Sequence, residues 1–515
     1  MAAPLAIDGN SLTLQDVVRV ARQRATVSLD VDARARMQRV RDVVDRKLES
    51  GEAVYGVNTG FGKLSELTIP RDRLAELQVN LVRSHAAGVG PLLPEEEVRA
   101  MMLLRANVLA KGYSGVRPEL AELLLGMLNA GLFPPVPEQG SVGASGDLAP
   151  LSHLALSLLG EGDLFAGARR GPAEELLVER GLRPVQLGPK EGVALVNGTQ
   201  AHTAVAALLL ADARVLWNTA HVAGAASLEA LLGTPVAFDA RIHQARGQEG
   251  QQHSAAFLRR LLADSEIRES HRVGDPRVQD AYALRCMPQV HGPVFDLLRF
   301  ADDVVERELN AATDNPLVFE DGALLSGGNF HGQAVAMILD MLAIGMTNLA
   351  VIAERRIDRL VHPDLNQGLP PFLTADAGVS SGFMIAQVTA AALASECKVL
   401  SHPESVDSIP TDGSKEDVVP MAMGAAWKLR RIVANVRNVL AIELLCACQG
   451  LDYRRPLRSS APLERAHALV RELVPPMERD RAVSPDILRI ADAIQIGKFE
   501  AIAEDLRPVT SNVQG

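Results

Sequence analysis

Residues 200–232, QAHTAVAALLLADARVLWNTAHVAGAASLEALL, hold no proline, one glycine and only three charged residues, Asp212, Arg214 and Glu229. A nearly unbroken apolar run of this length exceeds an ordinary globular helix. The same alanine- and leucine-rich pattern recurs over 302–311, 333–360, 380–400 and 420–449. Small residues are frequent in all of them, which lets helix axes approach closely. Composition agrees, since 47% of residues are hydrophobic but only 3% aromatic, leaving Ala, Leu and Val as the apolar mass. The fold class expected is all-α, an elongated helical bundle. Residues 1–195 are expected to form an N-terminal region carrying irregular loops, and 196–515 the long central helices and C-terminal helices.

Upstream of that run, residues 11–50 read as two helices, with Ser11 and Thr13 offering capping oxygens. Helical periodicity returns over 71–86, 94–110 and 118–130. Two stretches break it. Tyr55-Gly-Val-Asn-Thr-Gly-Phe-Gly62 crowds glycines as no stable helix does, and 133–146 is dominated by Pro and Gly. Asp147 then opens a helix over 148–159 with Pro150 in its first turn. Residues 160–195 look irregular, with short strands and a surface helix near 173–180.

Several function classes are disfavoured. A net charge of −11 without clustered Lys and Arg argues against nucleic acid as a partner, although one or two arginines suffice for a small carboxylate. Cys286, Cys397, Cys446 and Cys448 are too few and too irregular for a disulfide framework or a zinc site, so buried free thiols in a reducing compartment are expected. No His-Glu-x-x-His spacing occurs, and no metal site is expected. The N-terminus shows no secretory signal. The longest uncharged stretches, 192–211 and 377–395, carry several polar residues and suit buried helices better than membrane spans. A soluble, cytoplasmic protein is expected.

Gly140-Ser-Val-Gly-Ala-Ser-Gly-Asp-Leu-Ala-Pro150 is the most informative segment. It lacks the Gly-Lys-Ser/Thr of a phosphate-binding loop, so no nucleotide is expected, and it lacks the glycine spacing of a nucleophile elbow. Taken alone, Ala144-Ser145-Gly146 suits an ordinary glycine-rich turn. It also permits a reaction. Attack of the Gly146 nitrogen on the Ala144 carbonyl carbon, with loss of water there and of the Ser145 hydroxyl as a second water, closes a 4-methylidene-imidazole-5-one (MIO), a conjugated electrophile. A side chain at Gly146 would crowd the attacking nitrogen.

This segment resembles the signature of the aromatic amino acid ammonia-lyases and aminomutases. The stretches 55–62, Leu195-Val-Asn-Gly-Thr199, Gln279-Asp-Ala-Tyr-Ala-Leu-Arg285, Thr313-Asp-Asn-Pro-Leu317 and Gly327-Gly-Asn-Phe-His331 are similar to further blocks of that family, in the same order. The resemblance implies an MIO group formed from Ala144, Ser145 and Gly146. It implies Tyr55 as the base for the substrate β-proton, Tyr282 as a proton carrier near the amine, and Arg285 and Asn315 as carboxylate contacts. Asn197 is the implied donor to the imidazolone oxygen, Gln279 a supporting polar contact, and Phe330 a residue lining the pocket.

Two places bear on substrate. Ser84-His85 and Glu416-Asp417 are similar to the histidine-specific branch, where a polar histidine and a carboxylate suit an imidazole ring. Glu416 is also a candidate catalytic group. Elimination of ammonia from L-histidine to trans-urocanate is the activity expected. Val418-Val-Pro-Met421 departs from that branch towards the tyrosine-specific one, so a tyrosine or phenylalanine ammonia-lyase or a 2,3-aminomutase stays open. A catalytically dead helical scaffold is the reading from another class. The resemblance further implies a homotetramer whose active sites each draw on three subunits, with an amino acid as the small-molecule partner.

Overall fold

The first helix begins where the sequence supplies a cap. Thr13 precedes α1 (Leu14–Gln23), its hydroxyl accepting from Asp16 N at 3.2 Å while the Asp16 carboxylate accepts from Thr13 N at 3.2 Å. This reciprocal pair satisfies two N–H groups that a helix end otherwise leaves bare. Strands β1 (Leu5–Ile7) and β2 (Val27–Leu29) pair in parallel on either side of α1, and α2 (Val31–Ser50) follows.

Helices account for 61% of the residues in the computed structural model, and the strands are few and short. The structure describes residues 3–50, 59–60, 62, 67 and 69–504. Two compact units are present. The first takes in the described residues of Met1–Ala211, Ala301–Asp340 and Pro403–Trp427, and the second those of Asp212–Phe300, Met341–His402 and Lys428–Gly515.

In the first unit α3 (Leu74–His85) precedes α4 (Glu95–Ala110), which is buried from Glu97 to Ala110 and packs against α1 and α5 (Pro118–Ala130). Apolar residues on every side are what such burial demands. The arginines of α4 are accommodated by main-chain acceptors. Arg99 donates to Leu128 O at 3.2 Å and to Val20 O at 3.0 Å. Next come α6 (Leu148–Leu158), α7 (Ala173–Glu179) and the short α8 (Glu191–Val196). The long run quoted first forms α9 (Gln200–Ala230), which contributes residues to both units.

The core of the second unit holds one sealed ion pair. Arg356 Nε donates to Glu443 Oε1 at 2.5 Å and Nη2 to Oε2 at 3.0 Å, with Ser227 Oγ adding a bond at 2.7 Å. Two helices, Gln333–Val361 and Ala422–Tyr453, are long and apolar enough to cross a membrane. However, 72% and 83% of their apolar windows are buried inside the protein, as in core helices.

Helix 287–309 starts well before the expected 302, because Gly292-Pro293 looks like a breaker yet lies inside it. Gly292 is required there by the close approach of Gly250 and Gln251 from the helix Glu249–Leu261. α8 falls in the stretch expected to be irregular. It has no side-chain cap of its own, and Lys190 before it is left-handed at φ 75°. Its N-terminus is satisfied from α3, where Gln78 Oε1 accepts from Gly192 N at 2.8 Å and Val193 N at 3.4 Å.

Candidate active site

The turn between α8 and α9 meets the loop before α6 through two glycines. Gly146, at φ 71°, forms a parallel bridge with Gly198, and Asp147 N donates to Gly198 O at 2.7 Å. A Cβ on Gly146 would collide with the Gly198 carbonyl, so only glycine fits. Immediately before Gly198, Asn197 Nδ2 donates to Ser145 O at 2.7 Å. Ala144 is buried.

Asp147 caps α9 from a distant part of the chain. Its Oδ2 accepts from Ala201 N at 2.8 Å and His202 N at 2.9 Å, its Oδ1 from Ser141 Oγ at 2.8 Å. The His202 Nδ1 lies 3.0 Å from Oδ1 and 2.9 Å from Oδ2. Burial alone would raise the Asp147 carboxyl, but the His202 charge and these bonds hold it below the usual carboxylate range. Burial likewise works against protonated His202, yet Asp147 lifts the imidazole above its ordinary value.

Beneath the turn, Arg105 of α4 donates to Ala194 O at 2.8 Å, to Asn197 O at 3.1 Å and to the Gln200 side chain. Burial pushes its guanidinium down to about 10, with Asp314 and Asp147 opposing. Lys190 and Asp314 form a sealed ion pair at 2.9 Å. The main-chain carbonyl of Asn197 is thus held by the buried Arg105 guanidinium, a rigid support for a side chain that must keep its aim.

Glu416 arrives on a tight loop. Asp412, Gly413 and Ser414 have φ of 47°, 58° and 66°, a left-handed turn that costs roughly 1–2 kcal/mol per non-glycine residue. Thr411 N donates to Glu416 O at 2.9 Å, and Thr411 Oγ1 to Glu416 Oε2 at 2.5 Å. The Ser145 hydroxyl donates to Glu416 Oε1, also at 2.5 Å.

Ser145, Asn197 and Glu416 face one cavity of about 670 Å³, lined also by Ser84, His85, Asn315 and Phe330 among others. That volume suits a small organic ligand. Ser84 Oγ lies 3.0 Å from His85 Nδ1, which leaves Nε2 as the ring nitrogen available to a ligand. Asn315 Oδ1 accepts from Gly327 N at 2.8 Å, so its NH₂ is the end that can serve a carboxylate.

The family comparison matches the chain over residues 12–472 to "Aromatic amino acid lyase". The chain belongs to the aromatic amino acid lyase family. Among curated members, a histidine ammonia-lyase from Anaeromyxobacter dehalogenans (strain 2CP-C) is 56% identical, covering 96% of this chain and 99% of that one. The histidine ammonia-lyase structure from Trypanosoma cruzi superposes with a TM-score of 0.91 at 44% identity, covering 98% and 96% of the two chains. Tyrosine aminomutase from Streptomyces globisporus superposes with a TM-score of 0.92 at 39% identity, covering 98% and 99%. The backbone therefore does not separate family members of different substrate, and side chains in the cavity must.

Seven of the residues singled out in the sequence thus line a common cavity, with Ala144 and Gly146 flanking Ser145. Gln279, Tyr282 and Arg285 belong to the second unit, where Tyr282 is 71% exposed and the Arg285 guanidinium sits 4.7 Å from the centroid of its ring. Tyr55 lies outside the described residues. Sequence reasoning did not single out Asp412, which lines the cavity, or Thr411, which holds Glu416. It also missed Leu77 and Leu81 on α3, although their i, i+4, i+7 spacing with Ser84 was there to be read. His202 gave no local signal, since its partner is Asp147.

Proposed function

We propose that this chain is a carbon–nitrogen lyase that eliminates ammonia from L-histidine to give trans-urocanate. The observation that carries the reading is the conjunction of the Gly146 cradle and the Asn197–Ser145 hydrogen bond with His85 and Glu416 in the same cavity. High identity to curated histidine ammonia-lyases supports it.

The residues present fit an MIO group. Ring closure would keep the Ser145 carbonyl oxygen, which already accepts from Asn197, and the Gly198 carbonyl leaves no room for a side chain at Gly146. When formed, such a group supplies an electrophilic carbon for the substrate amine, making nitrogen a better leaving group. Asn197 stabilises negative charge on the ring oxygen. His85 Nε2 and the Glu416 carboxylate orient the imidazole, and the Asn315 NH₂ with Arg285 receives the carboxylate. Tyr55 removes the β-proton, and Tyr282 helps move the amine proton.

The tetramer is part of this proposal. A single chain leaves Tyr282, Val278 and Val273 in solvent at 71%, 95% and 89%, an exposure that association with further copies would relieve. A cytoplasmic location agrees with four free cysteines, three of them buried with thiols raised by desolvation.

The test is ultraviolet absorbance of the purified protein with L-histidine, L-tyrosine and L-phenylalanine in parallel. A urocanate band from histidine alone is the expected result. Product from tyrosine or phenylalanine would assign the cavity to another branch and overturn the roles of His85 and Glu416. Silence with all three would favour the scaffold reading. Ser145→Ala and Tyr55→Phe should each stop turnover, and Arg285→Lys should raise KM.

A further inference from the structure

Ser145 is gripped at both ends. Its carbonyl oxygen accepts from Asn197 Nδ2 at 2.7 Å, and its hydroxyl donates to Glu416 Oε1 at 2.5 Å. The other Glu416 oxygen accepts from Thr411 Oγ1 at 2.5 Å, so the carboxylate is held from both sides by hydroxyl groups. Both oxygens of the carboxylate thus already have a hydroxyl partner. One of its partners, however, is an atom that leaves.

We propose that Glu416 has a second task that precedes turnover: it carries the proton with which the Ser145 hydroxyl departs as water. The inference rests on the reading above that Ala144-Ser145-Gly146 cyclises. Closing the bond from Gly146 N to Ala144 C releases a first water, made of the Ala144 oxygen and the amide protons of Ser145 and Gly146. The second water is where Glu416 acts. Its carboxylate takes the Ser145 α-proton, three bonds from the hydroxyl oxygen it already touches, and returns that proton to Oγ. The Cα–H and Cβ–Oγ bonds break, a Cα=Cβ double bond forms, water leaves, and Glu416 ends as the carboxylate it began as. No oxidant or external acid enters the balance. Loss of the hydroxyl also strips Oε1 of its partner. Oε1 is thus freed for a substrate N–H once the group it helps to make is complete, while Thr411 keeps Oε2 in place throughout.

The experiment is cell-free synthesis of the full-length chain and of Glu416→Gln, followed in time by the mass of the peptide containing residues 144–146. The wild-type peptide should lose two waters. Glutamine keeps the shape and can still accept from the Ser145 hydroxyl, but it moves no proton. The second loss should therefore slow by roughly 10²- to 10⁴-fold, the usual worth of a general acid–base group, leaving a peptide short by at most one water. Two-water loss at the wild-type rate in Glu416→Gln overturns the proposal and leaves the proposed function standing. A wild-type peptide that loses no water refutes the proposed cofactor instead. A Glu416→Ala variant supplied with formate guards against misfolding of the glutamine variant. Restored second-water loss supports the proton-carrying role, and no restoration in a folded chain counts against it.

Discussion

The carboxylate of Asp147 and the imidazole of His202 form an ion pair, 2.9 Å apart, from which solvent is wholly excluded. Removing one partner of such a pair strands the other charge, at a cost of about 3–5 kcal/mol. His202→Leu should lower the free energy of unfolding by that amount, measured by urea denaturation. A loss below about 1 kcal/mol would show that Asp147 is satisfied by its main-chain donors alone.

The pair also has a pH signature. Asp147 is held below its ordinary value, so its contribution is present above the unfolded carboxylate value and disappears as pH falls through the folded one. His202 is raised, so its contribution is complete below the unfolded histidine value and disappears as pH climbs through the folded one. The stability difference between wild type and His202→Leu should therefore be greatest between about pH 4 and 6.5 and shrink on both sides. A difference that is flat from pH 4 to 9 would contradict the pairing. Glu308, raised by burial, is the other carboxyl facing this histidine and should be tested in parallel.

Asn197→Ala removes the donor to the Ser145 carbonyl while leaving the main chain gripped by Arg105. Two-water loss at residues 144–146 should persist, and kcat should fall roughly 10²- to 10³-fold, as for loss of one oxyanion donor. An unchanged kcat would remove Asn197 from the charge-stabilising role.

Gly146→Ala places a methyl group against the Gly198 carbonyl at a left-handed position. The chain should fold with the mass of its unmodified sequence. A peptide lighter by two waters would mean that the two glycines need not touch.

His85→Leu should lower kcat/KM for histidine roughly ten- to hundredfold, the worth of a hydrogen bond to a polar ring, and improve the relative rate with an apolar ring. Parallel assays with histidine and phenylalanine measure the ratio, and no change in it would leave substrate choice with Glu416 alone.

The sequence showed the long helices most clearly. α9 was expected over 200–232 and runs from Gln200 to Ala230, because unbroken apolar character decides a buried helix without further information. Ala144-Ser145-Gly146 could be singled out too, since the cyclisation proposed for it depends on residue type and order. What escaped notice depends on distant partners. α8 is capped by Gln78 of α3, the helix over 287–309 tolerates Gly292-Pro293 because another backbone packs there, and His202 matters only beside Asp147. Thr411 likewise gains a role only through its hydroxyl on Glu416, five residues on across a tight turn.

Gln78 joins two tasks. It sits two turns upstream of His85 on α3, and its side chain anchors the start of α8, whose far end delivers Asn197. The side chain proposed to sort substrates by ring and the one proposed to steady the reacting centre are therefore mounted on a common beam. An engineer wishing to change the ring accepted could exchange the last turn of α3 as a cassette, provided the register at Gln78 is kept. A one-residue slip in that helix would detune the chemistry along with the choice of substrate.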